Sequence, residues 1–172
     1  MPFTSSVTIP TSIQTATRSI PFSQTKGPIY PQGKRTLLSL VKNFRKVFPN
    51  SDFKNLKILQ SSERDYGLNK LFLGVCQARD GKHSYKVAIR VHRKNKNEHY
   101  SINSYCEVRC SCPAFHYWTA YPDVRSKNFY GRPSYWNKVK NRVRNPRLVP
   151  SICKHVFTYA SYLIQFGYIA KR

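Results

Sequence analysis

Two short pairs of cysteine and histidine constrain the fold of this 172-residue chain more than any other feature. Cys110 and Cys112 are separated by one residue, and so are Cys153 and His155. Three thiolates and one imidazole are a common donor set for a structural zinc ion in closed tetrahedral coordination. The sequence therefore predicts that these four residues bind one structural Zn²⁺ and that two distant segments meet in the fold.

The spacing also predicts which elements carry each pair. Residues two apart in a strand face the same side, so Cys110 and Cys112 suit the end of a strand. Residues two apart in a helix face nearly opposite sides. We therefore expect Cys153 in the turn before a helix and His155 in its first turn. One alternative stays open, in which His116 replaces His155 as the fourth ligand.

Cys76 and Cys106 fall on the apolar faces of predicted strands, where a cysteine usually behaves as a small buried hydrophobic residue. We expect both to be packed thiols and not ligands. Five cysteines without a hydrophobic secretory leader favour a reducing compartment, the cytoplasm or nucleus, or a virus particle, over secretion.

Hydrophobic periodicity predicts a small sheet. Residues 71–79 and 84–92 flank Asp80 and Gly81, a strong β-hairpin signal. A third alternating run, 100–109, places Ile102, Ser104, Cys106, Val108 and Cys110 on one face. These runs predict a three-stranded antiparallel meander. The residues between the first helix and this meander fit a strand or a short helix.

Two segments have helical spacing of apolar residues. Residues 34–48 end at Pro49, and residues 151–166 end at Gly167. The second helix should cover one face of the meander. The predicted fold is an α+β domain over residues 34–172, closed by zinc and preceded by an extended low-complexity arm, residues 1–33.

The segments VRCSCPAF and SICKHVFTYASYL resemble the SWIM-type zinc finger, whose pattern is Cys-x-Cys, a spacer, and Cys-x-His at the start of a helix. The resemblance covers about residues 87–163. It implies that Cys110, Cys112, Cys153 and His155 are the zinc ligands, and that the protein binds DNA or other proteins. The spacer, residues 113–152, is longer than in compact members of the family.

Net charge gives the strongest indication of a partner. The chain has 30 Lys and Arg residues against 7 Asp and Glu, a formal charge of +23, which attracts polyanions. In the spacer, cations that can neutralise phosphates alternate with rings that can stack on bases. The predicted nucleic-acid-binding residues are Arg125, Lys127, Arg132, Lys138, Lys140, Arg142, Arg144 and Arg147.

The structure of the spacer stays open in the sequence. Residues 133–147 fit a helix or a strand, and the cations could belong to a solvated loop. Phe115, Trp118, Tyr130 and the neighbouring aromatic residues could stack on bases or form a small second core around the zinc. Asp123 is the only acid of the spacer, so it alone offsets the charge of the spacer cations.

We expect a binding protein and not an enzyme, with no small-molecule substrate and no membrane association. A Cys3His set leaves no open position for catalysis by zinc, and the few acids are too scattered to hold catalytic metal ions. One hypothesis is a zinc protein that binds DNA or RNA within a nucleoprotein assembly. The alternative is an architectural subunit of a virus particle or similar assembly, whose arm binds neighbouring proteins.

Overall fold

The computed structural model describes residues 35–51, 56–131, 145, 147 and 149–171. The predicted arm and residues 132–144 lie outside the described residues. In chain order the elements are α1 (Leu37–Val47), β1 (Ile58–Asp65), β2 (Asn69–Gln77), β3 (Ser84–His92), β4 (Cys106–Cys110), a π-helix (Phe115–Thr119) that continues into α2 (Ala120–Arg125), and α3 (Lys154–Gln165). The predicted α+β class is confirmed.

The four strands form one antiparallel sheet in the order β1-β2-β3-β4. The hairpin predicted around Asp80 and Gly81 is confirmed, since β2 and β3 flank that turn. The predicted three-stranded meander is confirmed in part: its strands are β2, β3 and β4, and β1 adds a fourth. Seven of the eight residues of β1 are exposed, so no alternation of apolar and polar residues marks it in the sequence. Its pairing with β2 makes it a strand.

The predicted third strand is shorter than its alternation suggested. Ser101 and Ser104 form a turn, in which the Ser104 amide donates to the Ser101 carbonyl at 3.0 Å and the Ser101 amide donates to Ser104 Oγ at 3.1 Å. Such local serine hydrogen bonds compete with a strand ladder. Ile102 and Ser104 therefore precede the strand, which begins at Cys106.

Both predicted helices are confirmed with slightly shorter bounds. Thr36 caps α1 by accepting the Ser39 amide at 3.2 Å, and Pro49 follows its end. The rings of Phe44 and Phe157 stack 4.8 Å apart and join α1 to α3. Both helices contribute buried residues to one core with β2, β3 and β4. Among the described helices, none is long and apolar enough to cross a membrane.

A residue of helix α3 packs directly on Gly74 of β2. A Cβ built on Gly74 would lie 2.7 Å from ring carbons of Tyr159, which is fully buried. The Tyr159 hydroxyl lies 2.9 Å from Ser61 Oγ and forms a hydrogen bond with it. The missing side chain at Gly74 therefore lets the ring lie against β2 and reach β1.

Buried Asn128 attaches the spacer to the far edge of the sheet. Its Nδ2 donates to the carbonyls of Arg35 at 2.9 Å and Cys106 at 2.6 Å, and its Oδ1 accepts the Arg35 amide at 3.0 Å. Next to it, the Val108 amide donates to the Asn128 carbonyl at 2.7 Å, and the Tyr130 amide donates to the Val108 carbonyl at 3.0 Å. The outer edge of β4 is thus covered.

Asp123, the single acid of the spacer, faces the protein interior. It is fully buried. Its Oδ1 accepts the Ser151 amide at 3.0 Å, whereas Oδ2 has no hydrogen-bond partner within the described part of the chain. Burial raises the pKa of this carboxyl well above its usual range, and the hydrogen bond from Ser151 lowers it only in part.

We expect Asp123→Asn to stabilise the protein at neutral pH. Because the folded-state pKa of Asp123 lies above its unfolded value, the folded state binds the proton more tightly and stability falls as pH rises between the two values. Asparagine keeps the acceptor for the Ser151 amide and removes the ionisation. In melting curves from pH 5.5 to 8.5, the melting temperature of the variant should exceed that of the wild type by a difference that grows with pH. Each kcal/mol gained in the free energy of unfolding corresponds to about 2–4 °C. A lower melting temperature throughout would contradict the prediction.

Candidate metal centre

The two predicted ligand pairs meet in the fold. One ligand atom each from Cys110, Cys112, Cys153 and His155 lies within 4.8 Å of all the others, and all four residues are buried. The prediction that distant segments of the chain join here is confirmed, and the group can hold one metal ion.

The first pair is positioned by the end of the sheet. Strand β4 ends at Cys110, and Cys112 lies in the turn that follows. Between them, the Ser111 amide donates to the Lys86 carbonyl at 3.0 Å, and Ser111 Oγ accepts the Lys86 amide at 3.0 Å. Ser111 therefore holds the turn against β3. Sequence analysis did not single it out, because a serine between two ligands carries no signal of its own.

The second pair is positioned by the start of α3. Cys153 has extended backbone angles (φ −85°, ψ 170°) at the N-cap, and His155 is the second residue of the helix. Both placements confirm the prediction from the Cys-x-His spacing. The free amides and the dipole at a helix N-terminus stabilise negative charge, and so favour the thiolate form of Cys153.

The three thiols are arranged so that one of them ionises easily. Hydrogen bonds from Cys110 and Cys153 lower the pKa of Cys112 far below the usual thiol range, while burial raises the pKa values of Cys110 and Cys153. Cys112 Sγ also accepts the Phe115 amide at 3.3 Å. A bound cation would favour the thiolate form of all three, as metal coordination requires.

The surroundings of the His155 imidazole show whether a metal fits this group. Its ring packs on Tyr85 with centroids 4.7 Å apart, and both ring nitrogens are buried without a well-formed hydrogen bond among the described residues. The imidazole also lies close enough to Cys112 to help lower the pKa of that thiol. Leaving a buried polar atom unpaired costs about 1–3 kcal/mol. A bond from one imidazole nitrogen to a metal would remove part of that cost, so the orphaned ring beside three thiols fits the role of fourth ligand.

The other candidate ligands lie outside the group. His116 is half-buried with its ring edge toward Phe115, so the structure supports His155 over the alternative. Cys76 and Cys106 are fully buried thiols, as predicted. Burial raises the pKa of Cys76 to about 12, and its Sγ lies 3.6 Å from the His155 carbonyl, to which it donates. Cys76 therefore supports the backbone of a ligand.

The predicted nucleic-acid-binding residues are described only in part. Lys127 and Arg147 are exposed, and Arg125 lies in α2. The remaining five lie outside the described residues, so whether residues 133–147 form a helix or a strand stays open: Arg132, Lys138, Lys140, Arg142 and Arg144.

Two spacer aromatic residues have a packing role. Phe115 is fully buried in the main core, and the ring of Trp118 lies 5.3 Å from that of Phe48 in centroid distance. The ring of Tyr130 lies under the guanidinium of Arg90 at 5.1 Å. These contacts favour the packing interpretation of the spacer aromatics over base stacking.

Comparison with models of known protein families, with curated proteins and with solved structures gives no match to this chain. The resemblance to the SWIM-type zinc finger stays a prediction that rests on the two ligand segments. The candidate centre is therefore defined by its own geometry, a buried Cys3His group that joins the end of β4 to the start of α3.

Proposed function

We propose that this protein is a non-enzymatic zinc protein that binds nucleic acid through a basic surface, within a larger nucleoprotein assembly. The observation that carries the proposal is the compact, buried Cys3His group in a chain of net charge +23. Zinc is the metal that this donor set fits best, since thiolates and imidazole suit it and four ligands complete its tetrahedron.

In this proposal the role of zinc is structural. The two ligand pairs bracket the spacer, so the metal would close residues 113–152 into a loop anchored at both ends. Such an anchor would hold the cationic loop against the sheet without taking part in binding. The four buried ligands leave no coordination position for a substrate, which is the reason for proposing a binding protein.

The basic surface supports phosphate contacts more than base contacts. Besides Lys127 and Arg147, helix α1 exposes Lys42, Arg45 and Lys46 and contains no acid. Phe115 and Trp118 pack against the rest of the domain, so these two spacer rings do not serve to read bases. We therefore infer salt-sensitive binding with little sequence selectivity, to either DNA or RNA.

The salt dependence of binding tests this proposal. For duplex DNA the logarithm of affinity falls with the logarithm of salt concentration by about 0.9 per neutralised phosphate. Replacing Lys138, Lys140, Arg142 and Arg144 together by Gln should therefore reduce that slope by up to about 3 to 4 if all four contact phosphate. Fluorescence anisotropy with a labelled duplex between 50 and about 300 mM salt would measure it.

A second quadruple variant controls for the change in net charge. Lys57, Lys82, Lys94 and Lys96 are exposed outside the spacer, and replacing all four by Gln removes the same charge. This control should change the slope much less, and zinc content should be unchanged in both variants. An equal change in slope would show that the effect comes from net charge alone, and would overturn the proposal that the spacer forms the nucleic-acid-binding surface.

The alternative function is an architectural subunit of a virus particle or similar assembly, with purely structural zinc and an arm that binds neighbouring proteins. It is supported by the 33-residue Ser, Thr and Pro-rich arm, which carries only Arg18 and Lys26 as charged residues. An unchanged slope and affinity in the spacer variant would favour this alternative.

A further inference from the structure

Strand β1 presents a long open edge. It lies at one end of the sheet, whereas the other end, β4, is covered by Asn128–Tyr130. Edge strands in natural proteins are usually short or protected by Lys, Pro or a covering segment, because their free amides and carbonyls can pair with another strand. β1 is eight residues long, contains no Lys or Pro, and pairs with nothing but β2 in the described part of the chain. Its register with β2 is irregular between Ile58 and Gln60, so the regular part of this edge is residues 60–65.

Hydrogen bonding at the turn shows which amides are free. The Tyr66 amide donates to the Asn69 carbonyl at 2.7 Å. Since hydrogen-bonded and non-hydrogen-bonded pairs alternate in an antiparallel ladder, Ser62 and Arg64 bond to β2. The amides and carbonyls of Ser61, Glu63 and Asp65 then point away from the sheet.

Exposed hydrophobic side chains lie in and near the β1–β2 hairpin. The five large ones in the described residues all lie in β1, in the β1–β2 turn, or directly after α3: Leu59, Tyr66, Leu68, Phe166 and Tyr168. The ring of Tyr168 lies 6.3 Å from that of Phe72 in β2, so the residues after α3 border the same hairpin. Apolar groups beside an open edge indicate a protein partner.

The charge of this region favours a second copy of the chain. Although the protein has a net charge of +23, the β1–β2 hairpin carries two acids, Glu63 and Asp65, against two bases, Arg64 and Lys70. Two copies that meet here bring neutral surfaces together. Two further cations border the hairpin, since Lys57 precedes β1 and the Arg93 guanidinium donates to the Gly67 carbonyl of the turn. The repulsion that they add between two copies is screened over about 8 Å at physiological salt.

The sequence of β1 is also complementary to itself. In an antiparallel pair with the two-fold axis at Ser62, Ser61 lies opposite Glu63 of the second copy, and Arg64 lies opposite Gln60 of the second copy. No like charges face each other. This register pairs the outward-pointing Ser61 of each copy with the outward-pointing Glu63 of the other, whereas an axis at Glu63 would bring two carboxylates together.

We propose that two copies of this protein associate through antiparallel pairing of their β1 edges, which joins the two sheets into one of eight strands. The interface is isologous, as in most homodimers, and covers the exposed hydrophobic residues at the hairpin. This inference rests on the edge strand and is independent of nucleic-acid binding.

Complementary charges at the axis test the pairing. Ser61 contacts Tyr159 on the helix side, so Ser62 points to the opposite face, where it is exposed. In the proposed dimer the two Ser62 residues are direct neighbours, about 5 Å apart at Cβ. Ser62→Lys and Ser62→Glu should each weaken dimerisation by about 10- to 100-fold, because like charges then face each other. An equimolar mixture should recover it as a heterodimer.

Sedimentation equilibrium of the zinc-loaded full chain, free of nucleic acid, would measure these constants. Ser84→Lys, an exposed site at the start of β3, adds the same charge away from the edge and should leave the dimer intact. Recovery in the mixture also shows that both variants fold. A monomeric wild type, or a mixture that stays monomeric, would overturn the proposal.

Hydrogen exchange locates the interface. The amides of Ser61 and Glu63 should be protected in the wild-type dimer and exchange at least about tenfold faster in Ser62→Lys, whereas the Arg64 amide, bonded to β2, should stay protected in both. A different result would contradict pairing between β1 strands. If deletion of residues 1–33 abolishes the dimer and the Ser62 substitutions do not affect it, the arm and not β1 mediates dimerisation.

Discussion

Cys112→Ser is expected to lose the metal and most of the stability of the domain. Cys112 is buried, has the lowest thiol pKa of the group, and accepts the Phe115 amide. A serine hydroxyl does not ionise in this range and cannot replace a thiolate ligand. Structural zinc contributes apparent free energies of about 10–16 kcal/mol in small fingers, comparable to the whole stability of a typical domain. We expect a loss of at least about 3–5 kcal/mol.

Metal analysis and thermal unfolding with and without a chelator would measure this effect. Cys106→Ser is the matched control, because Cys106 is equally buried, lies in the same strand as Cys110 and is outside the ligand group. It should keep one zinc per chain despite some loss of packing. A wild-type preparation that contains no metal and melts identically after chelation would refute the zinc centre.

The second large effect is expected from Gly74→Ala. The new methyl group would lie 2.7 Å from ring carbons of Tyr159, well inside van der Waals contact. The ring has little room to move, because it is fully buried and its hydroxyl bonds to Ser61. Overpacking of this kind costs about 1–3 kcal/mol, and sometimes more. Urea unfolding of the zinc-loaded protein would give the loss.

A double-mutant cycle separates the clash from other effects of alanine. In a Tyr159→Leu background the ring is absent, so Gly74→Ala should cost less than about 1 kcal/mol. Tyr159→Phe keeps the ring and loses only the hydrogen bond to Ser61, so the cost of Gly74→Ala should stay near its original value. Equal costs in all three backgrounds would show that the ring does not limit the site.

Local patterns accounted for a large part of the fold. The turn at Asp80 and Gly81 specified the hairpin, and helical periodicity specified α1 and α3 within a few residues. The spacing of Cys153 and His155 correctly placed the first in the N-cap and the second in the first helical turn. These features succeed because each is encoded within one element by backbone geometry or side-chain periodicity.

Other features were decided by tertiary contacts. Strand β1 has no apolar face of its own and exists because β2 supplies its hydrogen bonds. Asp123 reads as a surface acid in a cationic loop, yet the fold buries it against the Ser151 amide. Whether a residue is buried depends on which distant segments pack against it, and a local sequence pattern does not contain that information.

The four candidate ligands could be named from the amino-acid sequence, because two tight pairs of metal-binding residues rarely occur together by chance. Their convergence within 4.8 Å, the exclusion of His116 and the position of the open edge at β1 emerged only in the folded chain. The physical reason is that ligand chemistry resides in individual side chains, whereas convergence and exposure depend on how the sheet, α3 and the spacer pack together.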